Sequence, residues 1–334
     1  MHHPGPETDL KGVRRPVHAG ATGLHHNPGA MAKPRRHRQG VDHDGTHHLT
    51  ATIAASVDLP STLDGGQSFR WWGEAGGFRG VIGRRAYLIK SAVDAIVVDS
   101  VDGSPIRPND VAAIERYLAL DYDLKGFASR FAKDRGLGPA LSAWPGIRIL
   151  RQDPWECLVA FICSSCSNIP RIKLNVGSLA TTYGDKVGPG ARDHAFPNAV
   201  RLASAGELAL RGLGLGFRAR YVAAAAEAVS EGRLDLESLY ALPYEEARDR
   251  LISLDGIGEK VADCALAFAF DKREAFPIDR WVRRALIEWY GAPERLSPEK
   301  VASWARERFG TDGAYVQQYL FHRQRLSARL PTRA

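Results

Sequence analysis

The sequence predicts an α+β protein, with a small N-terminal antiparallel β domain followed by a helical domain. Three observations carry this. The segments FRGVIG from Phe78, RAYLIK from Arg85 and AIVVDS from Ala95 are short, β-branched and separated by turn residues, and read as an antiparallel meander. At Pro108 the apolar period changes to helical spacing. From there the chain is nearly all helix, with caps and prolines at the expected starts.

Taken in order, residues 1–48 are rich in His, Gly, Pro and Arg, have no apolar periodicity and hold nine of the eleven histidines. Such a tail is expected to be disordered, or to precede the true start, with Met31 the candidate. Ordered signals begin near Leu49. PNDVAAIERYLAL has Pro108 and Asp110 at a helix start. QDPWECLVAFIC offers Asp153 as N-cap and Pro154 at the first helical position. Further helices are expected over FRARYVAAAAEAV, PYEEARDRLISL, VADCALAFAF, DRWVRRALIEWYG, SPEKVASWARERFG and AYVQQYLFHRQRL. The expected division is a tail over 1–48, a β domain with flanking helices over 49–145 and a helical domain over 146–328. There is no internal repeat at a fixed period.

Composition narrows the function classes. The 334 residues are 44% hydrophobic and 25% charged, enough for a real core. A net charge of +7 points weakly to an anionic partner. Four cysteines, Cys157, Cys163, Cys166 and Cys264, are too few for a disulfide scaffold. Cys163 and Cys166 form a C-x-x-C, but no second pair or histidine cluster follows at zinc spacing. No four-cysteine run suits an iron–sulfur cluster. No apolar run reaches membrane-spanning length and no hydrophobic signal core is present, so a reducing cytosolic compartment is expected.

Two glycine-rich turns punctuate the helical half: GLGLGFRAR from Gly212 and LDGIGEK from Leu254. Their helical flanks exclude a dinucleotide fingerprint, which needs a strand before it. A helix, then L-x-G-I-G, then a helix is a hairpin whose glycines expose backbone N–H groups at the start of the second helix. That suits a phosphate oxygen, and equally a plain tight connection. Lys260 opens the apolar helix VADCALAFAF, and Asp279 follows it by 19 residues. Alone, Lys260 reads as a surface lysine and Asp279 as an N-cap. Together in one cleft they make chemical sense, the amine as nucleophile and the carboxylate beside a developing positive charge.

The stretch LDGIGEKVADCALAFAFDKREAFPIDRW resembles the helix–hairpin–helix DNA glycosylases that carry a Gly/Pro-rich loop and an aspartate. Within them it is similar to the 8-oxoguanine DNA glycosylases of the animal and yeast type. GGQSFRWW (from Gly65), QDPWECLVAFICSSCSNIPRI, GLGLGFRARYV and QQYLF (from Gln317) extend the resemblance, in the family's order, over roughly residues 50 to 325.

The resemblance implies a β domain beside two helical lobes, with the active site in the cleft between the lobes. It implies a bifunctional glycosylase and abasic-site lyase, a monomer acting on double-stranded DNA that carries a damaged base. Lys260 would be the nucleophile and Asp279 the stabilising carboxylate. The Gly66 carbonyl would read the extra N7 hydrogen of 8-oxoguanine, Cys264 and Phe321 would sandwich the flipped base, and Gln317 would bond its Watson–Crick edge. Arg171 and Arg218 would contact the widowed cytosine, Phe217 would wedge beside it, and Asn168, Gly256, Gly258 and Val261 would join the DNA surface. Gln67, Ser68, Phe69 and Arg70 would brace the site. No cofactor is required by this reading, a structural cation on the hairpin carbonyls is possible, and the location is cytoplasmic: nucleoid-associated in a bacterium, nuclear in a eukaryote. The chain departs from the family where Cys166 and Ser167 stand in an asparagine run, where Trp281 replaces a histidine and where Phe217 replaces a tyrosine. These departures put gap filling and opposite-base stringency in doubt. The alternatives are an alkylated-base glycosylase of the same superfamily, which usually lacks the lysine, and a non-catalytic DNA-binding module.

Overall fold

The computed structural model describes residues 48–74 and 76–327. Up to residue 47, the tail expected at the N-terminus lies outside the described residues. Strand β1 (Thr50–Ile53) leads to a short helix, α1 (Leu59–Leu63), then to β2 (Trp71–Glu74), β3 (Gly77–Ile82), β4 (Arg85–Ala92) and β5 (Ala95–Ser100). All pair antiparallel in the order β1-β5-β4-β3-β2. The three expected strands are β3, β4 and β5. The two edge strands are additional.

Helix α2 (Pro108–Tyr117) closes the sheet from one side. Its Ile114 and Tyr117 share a core with Tyr87, Ile89, Ile96, Val98, Leu59 and Leu63. Period-two alternation puts these sheet residues on one face. Trp71 seals the arrangement, its indole N–H donating to the Tyr117 hydroxyl at 2.8 Å.

The helical body comprises α3 (Leu124–Phe131), α4 (Leu137–Ala143), α5 (Pro154–Ile162), α6 (Ile169–Tyr183), α7 (Ala199–Leu210), α8 (Arg218–Ser230), α9 (Tyr244–Ile252), α10 (Glu259–Phe268), α11 (Arg280–Tyr290), α12 (Pro298–Phe309) and α13 (Gly313–Ser327). The core of this body takes in α3 and α4 as well as everything from α5 onward. Helix α5 is its centre, buried from Cys157 through Ile162. Asp153 caps it as expected, accepting from the Glu156 N–H at 2.8 Å. An all-round apolar helix of this kind belongs inside. It lies along α10, where the Phe161 and Phe268 rings stack at 5.5 Å.

The turn from Gly65 to Arg70 is bolted to this body. The Gln67 side-chain amide donates to the Thr62 and Arg148 carbonyls and accepts from the Leu150 N–H. Arg70 makes a forked pair with Glu156, both contacts 2.7 Å, and donates to the His194 carbonyl at 2.6 Å. A buried guanidinium so fully bonded fixes geometry more than it adds stability.

Candidate active site

A cleft of about 990 Å³ opens where four separated stretches of chain meet: the Gly65–Arg70 turn, the loop after α5, the hairpin with α10 and the start of α11, and α13. Gly66, Asn168, Gly256, Gly258, Lys260, Val261, Cys264, Asp279, Gln317 and Phe321 all line it. Residues as far apart as Gly66 and Phe321, 255 positions, thus face one cavity.

The hairpin is built as the sequence suggests, with its two glycines doing different things. Gly256 has φ +83, a left-handed conformation, and a Cβ there would lie 2.1 Å from the Tyr221 ring. Gly258 has an ordinary φ of −87 and open space where a Cβ would stand. It is the N-cap of α10 and supplies no capping side chain, so the first N–H groups of α10 face outward. Ile257, 3% exposed, pins the turn from below. Asp263 on α10 accepts from the Tyr244 hydroxyl at 2.6 Å and from Arg248 at 3.2 Å, locking α9 to α10.

Lys260 sits in the first turn of α10 and is half-buried. Its amine donates to the Ser164 hydroxyl at 2.9 Å and lies 5.0 Å from the centre of the Phe161 ring. Cys264 stands one turn further along the same helix. Burial pushes its thiol up to about 12, so it is held protonated and is no competitor as nucleophile. Asp279 is the N-cap of α11, accepting from the Trp281 and Val282 N–H groups at 2.9 and 2.8 Å. Burial raises its carboxyl above the ordinary carboxylate value, against the pull of those two N–H groups and of the Lys260 charge. It is thus the N-cap that the sequence suggested, on a residue that also lines the cleft.

Gln317, on α13 and 5% exposed, lines the cleft, and its buried Oε1 has no hydrogen-bond partner among the described residues. A buried acceptor left unpaired points to a donor arriving from elsewhere. Phe321 lies across from Gly66, its ring edge 3.1 Å from where a Gly66 Cβ would be. Arg325 stacks behind Phe321 at 5.5 Å. Trp281 lines the cleft mouth under the Arg280 guanidinium at 4.7 Å.

Three of the residues expected to contact DNA lie outside the cavity lining. Arg171 and Phe217 are exposed, Phe217 by 46%. Arg218 is 9% exposed and turned inward, its guanidinium donating to the Ser165 carbonyl at 2.7 Å and to the Cys166 carbonyl at 2.9 Å. Its charge holds the loop after α5, with the Phe217 ring stacked on it at 4.5 Å. Cys166, in that loop, has φ +49, a conformation asparagine tolerates better than cysteine. Asn168 caps α6 through the Arg171 N–H at 3.0 Å. Ser164 is the site residue that sequence reasoning missed. A lone serine after a helix has no pattern, and only the packing of α5 on α10 brings it to the amine.

A lysine amine and an aspartate facing one cleft, behind a two-helix hairpin and beside a β-sheet domain, define the class as a helix–hairpin–helix protein of the glycosylase type. Residues 50–158 match the family model for the 8-oxoguanine DNA glycosylase N-terminal domain. The N-glycosylase/DNA lyase OGG1 of Arabidopsis thaliana is 32% identical over 309 residues, spanning 87% of this chain and 83% of that protein. The N-glycosylase/DNA lyase of Saccharomyces cerevisiae is 31% identical over 68% of this chain and 66% of its own length. Among solved structures, the Clostridium acetobutylicum 8-oxoguanine glycosylase/lyase in complex with DNA bearing cytosine opposite 8-oxoG superposes with a TM-score of 0.76. That protein is 30% identical over 81% of this chain and 93% of its own. The chain belongs to the 8-oxoguanine DNA glycosylase family of N-glycosylase/DNA lyases.

Among the described residues no helix is long and apolar enough to cross a membrane. Nor do they contain a group of three or more His, Cys, Asp or Glu side chains able to hold a metal ion.

Proposed function

We propose that the protein excises 8-oxoguanine opposite cytosine from duplex DNA through Lys260, and then nicks the strand by β-elimination. The observation that carries this is the Lys260 amine in the cleft, bonded to Ser164 and sharing the cavity with the half-buried Asp279.

A base in the duplex is out of reach, so the nucleotide is flipped out. The hairpin grips the backbone, with the uncapped N–H groups of α10 and the bare Gly258 suiting a close phosphate oxygen. Phe217 and Arg171, both exposed, are available to the stack and to the opposite cytosine. Arg218 reaches that cytosine only by leaving the Ser165 and Cys166 carbonyls. Phe321 and Cys264 bracket the flipped base. The unpaired Gln317 Oε1 accepts from the donors of its Watson–Crick edge. The Gly66 carbonyl tests for the N7 hydrogen that guanine lacks.

Lys260 Nζ then attacks C1′. The new C–N bond forms as the base leaves with the glycosidic electron pair. Asp279, ionised, stabilises the positive character of the sugar. Loss of an amine proton and opening of the sugar ring give the Schiff base. Loss of a C2′ proton expels the 3′-phosphate. Asp255, Gly256 and Ile257 have carbonyls that accept no backbone hydrogen bond among the described residues, and these are the oxygens that would hold a structural cation. No step runs through it.

Borohydride trapping on a duplex with 8-oxoguanine opposite cytosine tests the reading. The protein is expected to give a covalent adduct, and Lys260→Gln to give none while still binding the duplex. Base release with no adduct from the unaltered protein would refute Lys260 as nucleophile.

A further inference from the structure

We propose that Ser164 is a positioning residue that aims the nucleophilic amine. The inference rests on the reading of Lys260 given above and deepens it.

The Ser164 hydroxyl stands between two partners. It donates its one proton to the Phe161 carbonyl at 2.6 Å and accepts from Lys260 Nζ at 2.9 Å. A hydroxyl has one donor and two acceptor sites. With its proton committed to the carbonyl, only lone pairs face the amine. Ser164 can thus receive an N–H and cannot offer one, which fixes the direction in which the amine points. Phe161 adds a second constraint, its ring face 5.0 Å from Nζ. The carbonyl and the ring come from the last turn of α5 and the hydroxyl from the turn that follows, where the Ser164 N–H also bonds the Phe161 carbonyl at 3.1 Å.

The other groups around the amine do not aim it in this way. The Oδ1 of Asp279 is engaged by the first turn of α11. Cys264 shares the helix with Lys260 and cannot hold it against a separate element. Helix α5 is such an element, and the Phe161–Phe268 stack keys it to α10. A lysine on a flexible stem is thereby pinned from outside its own helix, which is what a near-attack geometry requires. The same acceptor remains useful later. After the C–N bond has formed and the iminium has developed, the nitrogen keeps a single N–H, and the Ser164 lone pair holds the plane of that nitrogen during elimination.

The test compares Ser164→Ala with Ser164→Thr in single-turnover reactions on two duplexes, one carrying 8-oxoguanine and one carrying a preformed abasic site. Ser164→Ala is expected to slow excision and borohydride trapping by about ten- to a hundredfold. Its thermal midpoint and its affinity for a tetrahydrofuran abasic-analogue duplex are expected to stay unchanged. Ser164→Thr restores the acceptor and is expected to recover trapping to within about threefold of the parent protein. An alanine variant as fast as the parent, or a threonine variant as slow as alanine, overturns the proposal. If the parent traps the abasic duplex but leaves 8-oxoguanine intact, the lesion reading falls, and the same alanine–threonine comparison on the abasic duplex still decides Ser164. A parent that traps neither duplex overturns both.

Discussion

Replacing Gly256 by alanine asks how much of the hairpin is fixed by one missing side chain. Two penalties arise from the structure. An L-residue at φ +83 costs about 1–2 kcal/mol. The added Cβ would sit 2.1 Å from both Cγ and Cδ1 of Tyr221 and 2.7 Å from its Cβ, atoms too close to the backbone to swing aside. Relieving such an overlap costs about 1–3 kcal/mol. Urea unfolding of Gly256→Ala is therefore expected to show a loss of about 2–5 kcal/mol. In a Tyr221→Ala background the ring overlap is gone but the Cβ 2.7 Å away remains, so the loss shrinks towards, without reaching, the backbone part of about 1–2 kcal/mol. Gly258→Ala is the contrast. With φ −87 and nothing within 4 Å of its Cβ, it should change stability by less than about 0.5 kcal/mol. The proposed close approach of a phosphate at that bare position predicts that the substitution nonetheless weakens duplex binding. Equal losses for Gly256→Ala in both backgrounds would refute the steric account. A Gly258→Ala variant that binds duplex as tightly as the parent would refute the backbone-approach account.

Two further outcomes follow from buried ionisable groups. Asp279→Asn keeps the capping oxygen and removes the charge. Because burial raises the Asp279 carboxyl, the native state holds that proton more tightly than the unfolded chain, and stability falls as pH rises through the raised value. The variant is expected to be more stable than the parent at neutral pH, with the difference vanishing in acid, and to lose about a hundredfold or more in single-turnover excision. His322, 4% exposed and edge-on to Trp144 at 5.0 Å, is pushed down to about 4 by burial. The unfolded chain thus binds a proton there between that value and the usual histidine range. Acidifying across this window should remove about 3 kcal/mol of stability, and His322→Phe should flatten that slope in urea titrations at successive pH values.

Much of this was legible in the sequence because it is local. Asp153 and Pro154 mark the start of α5, and alternation marks β3, β4 and β5, with no help from tertiary contacts. Strands β1 and β2 were missed for the opposite reason. Each is four residues long, too short to show a period, and β1 exists because it pairs with β5 nearly fifty residues away. The hairpin, the lysine and the aspartate were readable as motifs, yet the separate tasks of Gly256 and Gly258 were not. Their difference lies in a dihedral angle and in the position of Tyr221 on another helix. Arg218 shows the same limit. Its position suggests a free cation, and only the folded loop reveals two carbonyls that claim it. The unpaired Gln317 Oε1 and the Ser164 contact are likewise products of packing, with no sequence signature.

The meeting of four distant chain segments at one cleft has a consequence for how the protein is made. A ribosome that has just passed Lys260 has already delivered Gly66, Ser164 and the amine, but neither the N-cap aspartate nor Gln317 and Phe321. A nascent or C-terminally clipped chain therefore carries Lys260 without the α13 side of the cleft. Since α13 supplies Gln317 and Phe321, the cleft has its full lining only once that helix has been made.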